Sequence, residues 1–353
     1  MDDLVLNSIL QIAWLKRGLL ARALTPIALV YWLLLTLRKA AYSFKIFTTE
    51  KFPVPIIVVG NVVLGGTGKT PLVVALVEHF REQGLHVGVV SRGYGRSGER
   101  TLEVLSGMPA TVTGDEPALI KAKTGVPVVV AKDRREAVRQ LLLSYAQTDI
   151  VICDDGLQHY ALYRDIEIAV FDDRGVGNGW LLPAGLLRER WPQRPAQGVD
   201  LILHTGQTPQ FAGYRSKRNL ATHAMNADGN RIRLSSLRNK RVIAIAAIGN
   251  PESFFNMLRN SGVVVASTIS LPDHYSFPMG LGGLDEDISG ADAVLCTEKD
   301  AVKLFSGRNA AAINLFSVPL MFTAEPDFYV ALDKLVTPLI SQKYSRVPFS
   351  DGH

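Results

Sequence analysis

The stretch Gly65-Gly66-Thr67-Gly68-Lys69-Thr70, directly after the apolar run 55–60, constrains the fold of this 353-residue chain more than any other feature. A glycine-rich turn between an apolar, β-branched strand and a helix, ending in Gly-Lys-Thr, has the form of a phosphate-binding loop. Its glycines let backbone N–H groups close on phosphate oxygens, Lys69 can reach the outer phosphates, and the Thr70 hydroxyl suits Mg²⁺. The usual spacing asks for glycine at position 63, where this chain has Val63. That shifts the loop's freedom onto Gly65 and Gly66. The plainer alternative, a purely structural strand-to-helix turn, fits the flanking elements less well.

Downstream, apolar runs alternate with helical stretches. Residues 86–91, 126–131, 149–153, 166–171 and 201–204 read as strands, and 71–83, 116–123 and 134–145 as helices. Continuous apolar strands separated by helices imply a parallel sheet covered on both faces. The expected fold class is therefore α/β: a P-loop NTPase-type parallel-sheet domain, a second, smaller α/β domain, and an N-terminal membrane-associated helix. The polar stretch 206–219 is the candidate boundary, and Ala227-Asp228-Gly229-Asn230 reads as a hairpin turn. Strands at 241–247, 263–270 and 293–296, with a helix at 252–260, then resume the pattern. The expected divisions are 1–46 (membrane-associated helix), 47–205 (nucleotide-binding domain), 206–340 (second domain) and 341–353 (a polar, frayed tail).

Charge and hydropathy concentrate at the N-terminus. Residues 1–45 carry Lys16, Arg17, Arg22, Arg38, Lys39 and Lys45 against Asp2 and Asp3, which is +4 of the chain's +5. Such a balance over this length argues against a nucleic-acid partner. The uncharged run 23–37 is shorter than the roughly 20 apolar residues of a membrane span. Thr25-Pro26 reads as an N-cap followed by proline at the first helical position, and Tyr31 and Trp32 suit a headgroup interface. The late start of the run, Asp2 and Asp3, and the lack of an A-x-A site after it argue against a secretory signal. Evenly basic flanks favour a helix lying in the membrane face over one crossing it, with a buried core helix as the alternative. Cys153 and Cys296 end apolar runs and read as reduced core thiols.

Several further motifs suit chemistry. The run 149–153 leads into Asp154-Asp155-Gly156, a strand ending in carboxylates beside the phosphate-bound metal, followed by Gln158-His159. His159 reads equally well as a packing or capping histidine. Ser91-Arg92-Gly93-Tyr94-Gly95-Arg96 follows the second strand, where α/β sheets bind ligands, and its arginines suit phosphate; a basic surface turn competes with that reading. Thr113-Gly114-Asp115-Glu116-Pro117 reads first as a helix start with Asp115 as N-cap, and second as a carboxylate able to take a hydroxyl proton. Pro272-Asp273-His274-Tyr275 sets an acid beside an imidazole, and Thr297-Glu298-Lys299-Asp300 opens a helix on which Lys299 could face a ligand.

Together these residues resemble a known family, the tetraacyldisaccharide 4′-kinases of Gram-negative bacteria. The resemblance spans most of the chain: the N-terminal apolar helix, GGTGKTP (65–71), SRGYGR (91–96), GDEP (114–117), DDGLQH (154–159), GNPESFF (249–255), DHYSF (273–277) and TEKDAVKL (297–304). One departure is visible: the family's G-P-L-R-E-P segment reads Gly185-Leu186-Leu187-Arg188-Glu189-Arg190, with both prolines replaced. The resemblance implies transfer of the ATP γ-phosphoryl group to the 4′-hydroxyl of a tetraacylated disaccharide 1-phosphate, giving lipid IVA. It also implies two α/β domains joined by a hinge, with the nucleotide site between them. By the same resemblance Gly65 to Thr70 hold ATP, and Thr70, Asp154 and Asp155 hold Mg²⁺. Asp115 is the base, aided by His274, and Lys69 serves catalysis as well as binding. Arg92, Tyr94, Arg96, Arg134, His159, Arg188, Glu189, Asp273 and Lys299 are the candidate substrate contacts. The implied partner is the lipid substrate at the cytoplasmic face of the inner membrane, with the enzyme monomeric. A membrane-docked partition-type ATPase switch would carry lysine before the double glycine, where this chain has Leu64, and a soluble P-loop ligase would have no use for residues 1–45.

Overall fold

The computed structural model describes residues 14–192, 199–278, 280–305 and 314–345. Asp2, Asp3 and the tail beyond 345 lie outside the described residues. In chain order the longer helices are α1 (Thr25–Ser43), α2 (Lys69–Glu82), α3 (Asp115–Thr124), α4 (Arg134–Ser144), α5 (Pro251–Asn260), α6 (Glu298–Leu304) and α7 (Pro326–Ser345). The strands of three or more residues are β1 (Ile56–Gly60), β2 (Val87–Ser91), β3 (Val128–Val130), β4 (Ile150–Asp154), β5 (Ile166–Phe171), β6 (Leu201–His204), β7 (Tyr214–Leu220), β8 (His223–Met225), β9 (Arg231–Arg233), β10 (Val242–Ala246), β11 (Val265–Ser270), β12 (Ala293–Thr297), β13 (Leu315–Val318) and β14 (Leu320–Ala324).

The chain forms two compact units, one of Met1–Ser91, Asp133–Ser216 and Ala324–His353, the other of Arg92–Lys132 and Lys217–Thr323. Neither is contiguous, in contrast to the expected division at 205/206. The stretch 206–219, expected as a linker, is strand from Tyr214 onward.

The first unit is built on parallel strands in the order β6-β5-β1-β4-β2, continued by the start of β7 beside β6. Every residue of β1, β2 and β4 is buried, as expected of strands covered on both faces. Leu72, Val73, Leu76, Val77 and Phe80 form the buried stripe of α2. Register then sets the chemistry: Val59 of β1 lies opposite Asp154 of β4, and Val90 of β2 opposite Cys153. Ser91, Asp154 and the loop after β1 therefore share the carboxyl edge of the sheet, where open α/β sheets bind ligands. Cys153 is a free, buried thiol that burial pushes up to about 11, in keeping with an inert core cysteine.

Helix α1 also belongs to the first unit. Its N-cap is Leu24, one residue before the expected Thr25, whose hydroxyl instead donates to the Arg22 carbonyl. Ile27, Leu29, Val30, Leu33, Leu34 and Leu37 are exposed along it. Tyr31 and Trp32, expected at a headgroup interface, face the protein: the Tyr31 hydroxyl donates to Arg188 O (3.0 Å), and Arg190 stacks on Trp32 at 4.6 Å. No helix among the described residues is long and apolar enough to cross a membrane.

The second unit has the strand order β9-β8-β13-β12-β10-β11, parallel from β13 to β11, with β8 antiparallel to both of its neighbours, β9 and β13. The hairpin turn is held by Asn226 Oδ1, which accepts from the N–H groups of Asp228 and Asn230. Period-2 alternation along β10 splits the core. Val242, Ala244 and Ala246 pack on Phe254, Phe255 and Leu258, while Ile243 and Ile245 pack with Phe277, Leu281 and Leu304. Helix α5 starts at Asn250, whose side chain caps Ser253 N–H, followed by Pro251 at the first helical position.

Candidate active site

Lys69 and Thr70 are the first two residues of α2, so the loop before them meets the helix end where unpaired N–H groups and the helix dipole favour anions. Two glycines shape that loop: Gly65 has φ +90° and Gly68 φ +87°, and a Cβ on Gly68 would sit 3.1 Å from Thr205 Cγ2. Thr205 fixes the turn by donating its hydroxyl to Thr67 O (2.7 Å). Thr67 itself is buried, and its hydroxyl oxygen has no hydrogen-bond partner among the described residues. Val63, the departure from the usual spacing, is fully buried and bridges to Leu187, so packing replaces glycine there.

Lys69 Nζ lies 3.3 Å from Asn61 Oδ1 and 3.6 Å from Asp155 Oδ1. Asp154 closes β4 and accepts from Ser91 Oγ (3.3 Å). Asp155 stands at φ +51°, a conformation that costs energy in a non-glycine residue and turns its carboxylate toward cations. Arg188 Nη1 lies 3.5 Å from its Oδ1, and the buried Arg134 donates to its backbone carbonyl at 3.2 Å. Burial pushes the Asp155 carboxyl up, but Lys69, Arg188 and Arg134 outweigh it and hold it below the ordinary carboxylate value. Thr70, Asp154 and Asp155 thus offer hard oxygen donors of the kind Mg²⁺ takes. Among the described residues no group of three His, Cys, Asp or Glu could hold a metal ion.

His159 meets neighbours within the first unit. Its Nε2 lies 3.1 Å from Asp133 Oδ1 and 3.3 Å from Arg134 N, at the start of α4. Burial and the neighbouring Arg134 lower its pKa, leaving it neutral at neutral pH. Glu189 is buried between the Tyr160 hydroxyl, which donates to Oε2, and Lys39 Nζ of α1 at 2.5 Å.

In the second unit the structure gathers a different set. Asp115 is the first residue of α3, the N-cap is Gly114, and no side chain caps the helix, so the capping role expected for Asp115 is not the one it plays. Its Oδ2 instead meets His274 Nδ1 at 3.1 Å and Lys303 Nζ at 3.0 Å. Burial raises the Asp115 carboxyl, and the His274 hydrogen bond, Lys303 and Lys299 together bring it below the ordinary value. His274 stands at φ +63° with its ring 4.9 Å from that of Tyr94. Burial lowers its pKa, while Asp115, Glu116 and Asp273 raise it to a net increase. Lys299, expected to face a ligand, is held by Glu116 (2.8 Å) and Asp273 (3.2 Å). The glycines of two motifs meet here: a Cβ on Gly114 would lie 2.8 Å from Gly93 Cα, so the SRGYGR and GDEP loops pack backbone to backbone. Arg92 is exposed and Arg96 donates to Arg100 O (2.7 Å); neither joins the Asp115 cluster among the described residues.

Residues the motif reading missed complete both sites. Arg174 spans the phosphate loop, donating to Leu64 O (3.1 Å) and Gly66 O (3.0 Å), and nothing in its local sequence announces this. Lys303 had a signal: it follows Lys299 by four residues, the spacing that puts two side chains on one helix face.

Comparison with known proteins gives the family. The family model for tetraacyldisaccharide-1-P 4′-kinase, LpxK, matches residues 20–337. A tetraacyldisaccharide 4′-kinase of Polaromonas naphthalenivorans is 57% identical over 348 residues, covering 99% of each chain. One from Polaromonas sp. is 58% identical over 329 residues, covering 93% of this chain and 96% of that one. The crystal structure of LpxK from Aquifex aeolicus in complex with ATP superposes with a TM-score of 0.75 at 28% identity, covering 91% of this chain and all of that one. With its phosphate loop, its acidic strand end and its family match over nearly the whole length, the chain belongs to the tetraacyldisaccharide-1-P 4′-kinase family.

Proposed function

We propose that this chain transfers the γ-phosphoryl group of ATP to the 4′-hydroxyl of a tetraacyldisaccharide 1-phosphate, the step that forms lipid IVA in lipid A biosynthesis. The observation that carries the reading is the phosphate loop opening α2, with Lys69 beside the Asp155 carboxylate at the same sheet edge. The loop N–H groups and Lys69 hold the nucleotide phosphates, and Arg188 and Arg134 keep Asp155 ionised. Thr70, Asp154 and Asp155 would hold Mg²⁺, which when bound neutralises charge on the phosphate oxygens. A sugar hydroxyl is a poor nucleophile, so the reaction depends on positioning and proton removal. Asp115, ionised and oriented by His274, is the base that takes the hydroxyl proton. Tyr94, Asp273 and Lys299 support that cluster, and Arg92 and Arg96 are basic groups suited to the substrate's phosphate.

The lipid does not leave the bilayer readily, at about 0.8 kcal/mol for each CH₂ it would expose. The exposed apolar side chains of α1 would bring a monomeric enzyme to the cytoplasmic face of the inner membrane, where ATP is available, with no helix among the described residues long and apolar enough to cross it. No nucleic acid enters this reading.

The test is ATP turnover by the full chain with detergent-dispersed lipid A disaccharide 1-phosphate and with no lipid. The expected result is lipid-dependent ADP release matched by a new phosphorylated glycolipid on thin-layer chromatography. Lipid-independent hydrolysis with no such product would overturn the assignment.

A further inference from the structure

Asp115 has one carboxylate oxygen engaged twice and the other not at all. Its Oδ2 meets both His274 Nδ1 (3.1 Å) and Lys303 Nζ (3.0 Å), whereas Oδ1 has no hydrogen bond among the described residues. Lys303 is itself held from three sides. Its side chain is only 4% exposed, it donates to Tyr275 O at 2.8 Å, and it lies 3.7 Å from Asp300 Oδ1 and 5.4 Å from the Phe277 ring centre. Asp300 is anchored in turn: its Oδ2 accepts from Ala247 N–H (3.1 Å) and the Thr297 hydroxyl (2.7 Å). The two lysines of α6 divide the start of α3 between them, Lys303 on Asp115 and Lys299 on Glu116.

We infer that Lys303 is a positioning residue for phosphoryl transfer: it pins Oδ2 of Asp115 so that Oδ1 is presented to the acceptor hydroxyl. The inference rests on the reading of Asp115 as the base. A carboxylate can turn about its Cβ–Cγ bond and exchange its oxygens, and two donors on one oxygen remove that freedom. One of the two carries a full charge, which makes its hydrogen bond the stronger kind. In the step served, the acceptor O–H bond breaks and its proton passes to Oδ1. The new O–P bond forms at the γ-phosphorus as its bond to the bridging oxygen breaks, leaving ADP.

The ammonium also favours the ionised carboxylate, in a surrounding where opposing charges are present. Glu116 on α3 and Asp273 on the loop after β11 push the other way, while His274 and Lys299 act with Lys303, and Asp300 offsets part of its charge. Removing Lys303 takes away the cation nearest Asp115, so the carboxyl pKa rises and the acidic limb of the rate profile moves to higher pH.

The experiment uses the full chain with Mg-ATP and detergent-dispersed lipid A disaccharide 1-phosphate, comparing wild type, Lys303→Met, Lys303→Gln, Lys303→Arg and Asp115→Asn from pH 9 down to pH 3, because the limb governed by Asp115 lies below the ordinary carboxylate value. Thermal melting and ATP binding establish that each variant is folded, and Lys303→Gln is read if Lys303→Met is not. The neutral variant should lose kcat by roughly 10- to 100-fold, keep its KM for ATP within about twofold, and shift its acidic limb upward by about one pH unit. Lys303→Arg, which keeps the charge, should recover most of the rate and return the limb to its wild-type place. A neutral variant with kcat within twofold of wild type, or with reduced kcat and an unmoved limb, overturns the inference. Asp115→Asn separates the two readings. If it is inactive while the neutral Lys303 variant is unaffected, the positioning role alone fails; if it keeps wild-type kcat, the reading of Asp115 as base fails.

Discussion

Gly68 shows how much one backbone angle controls in this molecule. With φ +87°, it turns the chain so that Lys69 and Thr70 open α2 with their N–H groups unpaired by the helix. An L-residue there costs roughly 1–2 kcal/mol from the left-handed conformation alone. A Cβ would also press on Thr205, whose hydroxyl holds the Thr67 carbonyl. Gly68→Ala should therefore weaken ATP binding by about tenfold or more, since roughly 1.4 kcal/mol is one decade. Isothermal titration calorimetry reads this directly, and an unchanged affinity would mean the turn tolerates a side chain. The phosphate loop was legible because its residues are consecutive. Asp115 was legible only in part: Thr-Gly-Asp-Glu-Pro is a helix start in any reading, but a cap must lie outside the helix, and Asp115 is already inside it. Its partners stand 159 and 188 residues away in the chain, beyond the reach of any local pattern.

At the scale of elements, α1 has two faces with different partners. Toward the protein, Tyr31, Arg38 and Lys39 reach Arg188 O, Gln158 O and the buried Glu189 carboxylate. Away from it, Ile27, Val30, Leu34 and Leu37 recur at helical spacing with Leu29 and Leu33 beside them, all at least half exposed. An apolar stripe of this size on a soluble surface marks an interaction face, and a helix lying in a bilayer surface uses one. Replacing Leu33, Leu34 and Leu37 together by Gln should leave the melting temperature nearly unchanged while the protein no longer co-sediments with vesicles of anionic phospholipid. Continued sedimentation would move membrane contact elsewhere on the chain. From the sequence the run's apolar character was evident, but not which basic and aromatic residues turn inward. That choice depends on the loop 178–190, where Arg17 donates to Asn178 O (3.0 Å) and Trp14 to Pro183 O (2.8 Å).

For the whole molecule, the decisive event is the chain's return to its first unit through α7. Apolar strand runs made the parallel sheet readable, since buried strands need no alternation. The non-contiguous division was not readable, because strand β7 carries the crossing at Ser216 and Lys217 with the polar composition of a linker. Helix α7 is a related case: residues 326–340 were expected in the second domain and only 341–345 in the polar tail, because the buried face of the helix is narrow. Phe328 and Leu332 are fully buried, and the Phe328 ring lies 5.8 Å from that of Tyr214. Polar clasps flank them: Asp333 Oδ1 lies 2.8 Å from His79 Nε2 on α2, and Lys343 donates to Asp149 Oδ1 at 2.7 Å beside β4. The helix thus grips both the element that opens with Lys69 and the strand that ends in Asp154. Phe328→Ala should destabilise the first unit by about 3–5 kcal/mol, the usual loss for emptying a fully buried aromatic site. Urea unfolding followed by circular dichroism measures that loss. With ATP held by the phosphate loop of the first unit, as proposed above, saturating nucleotide should restore part of it, by about 2.7 kcal/mol at a hundredfold excess over Kd. A loss below about 1 kcal/mol would mean α7 packs as a dispensable tail, and full stabilisation of the variant by nucleotide would show that the phosphate site keeps its affinity without the Phe328 contact.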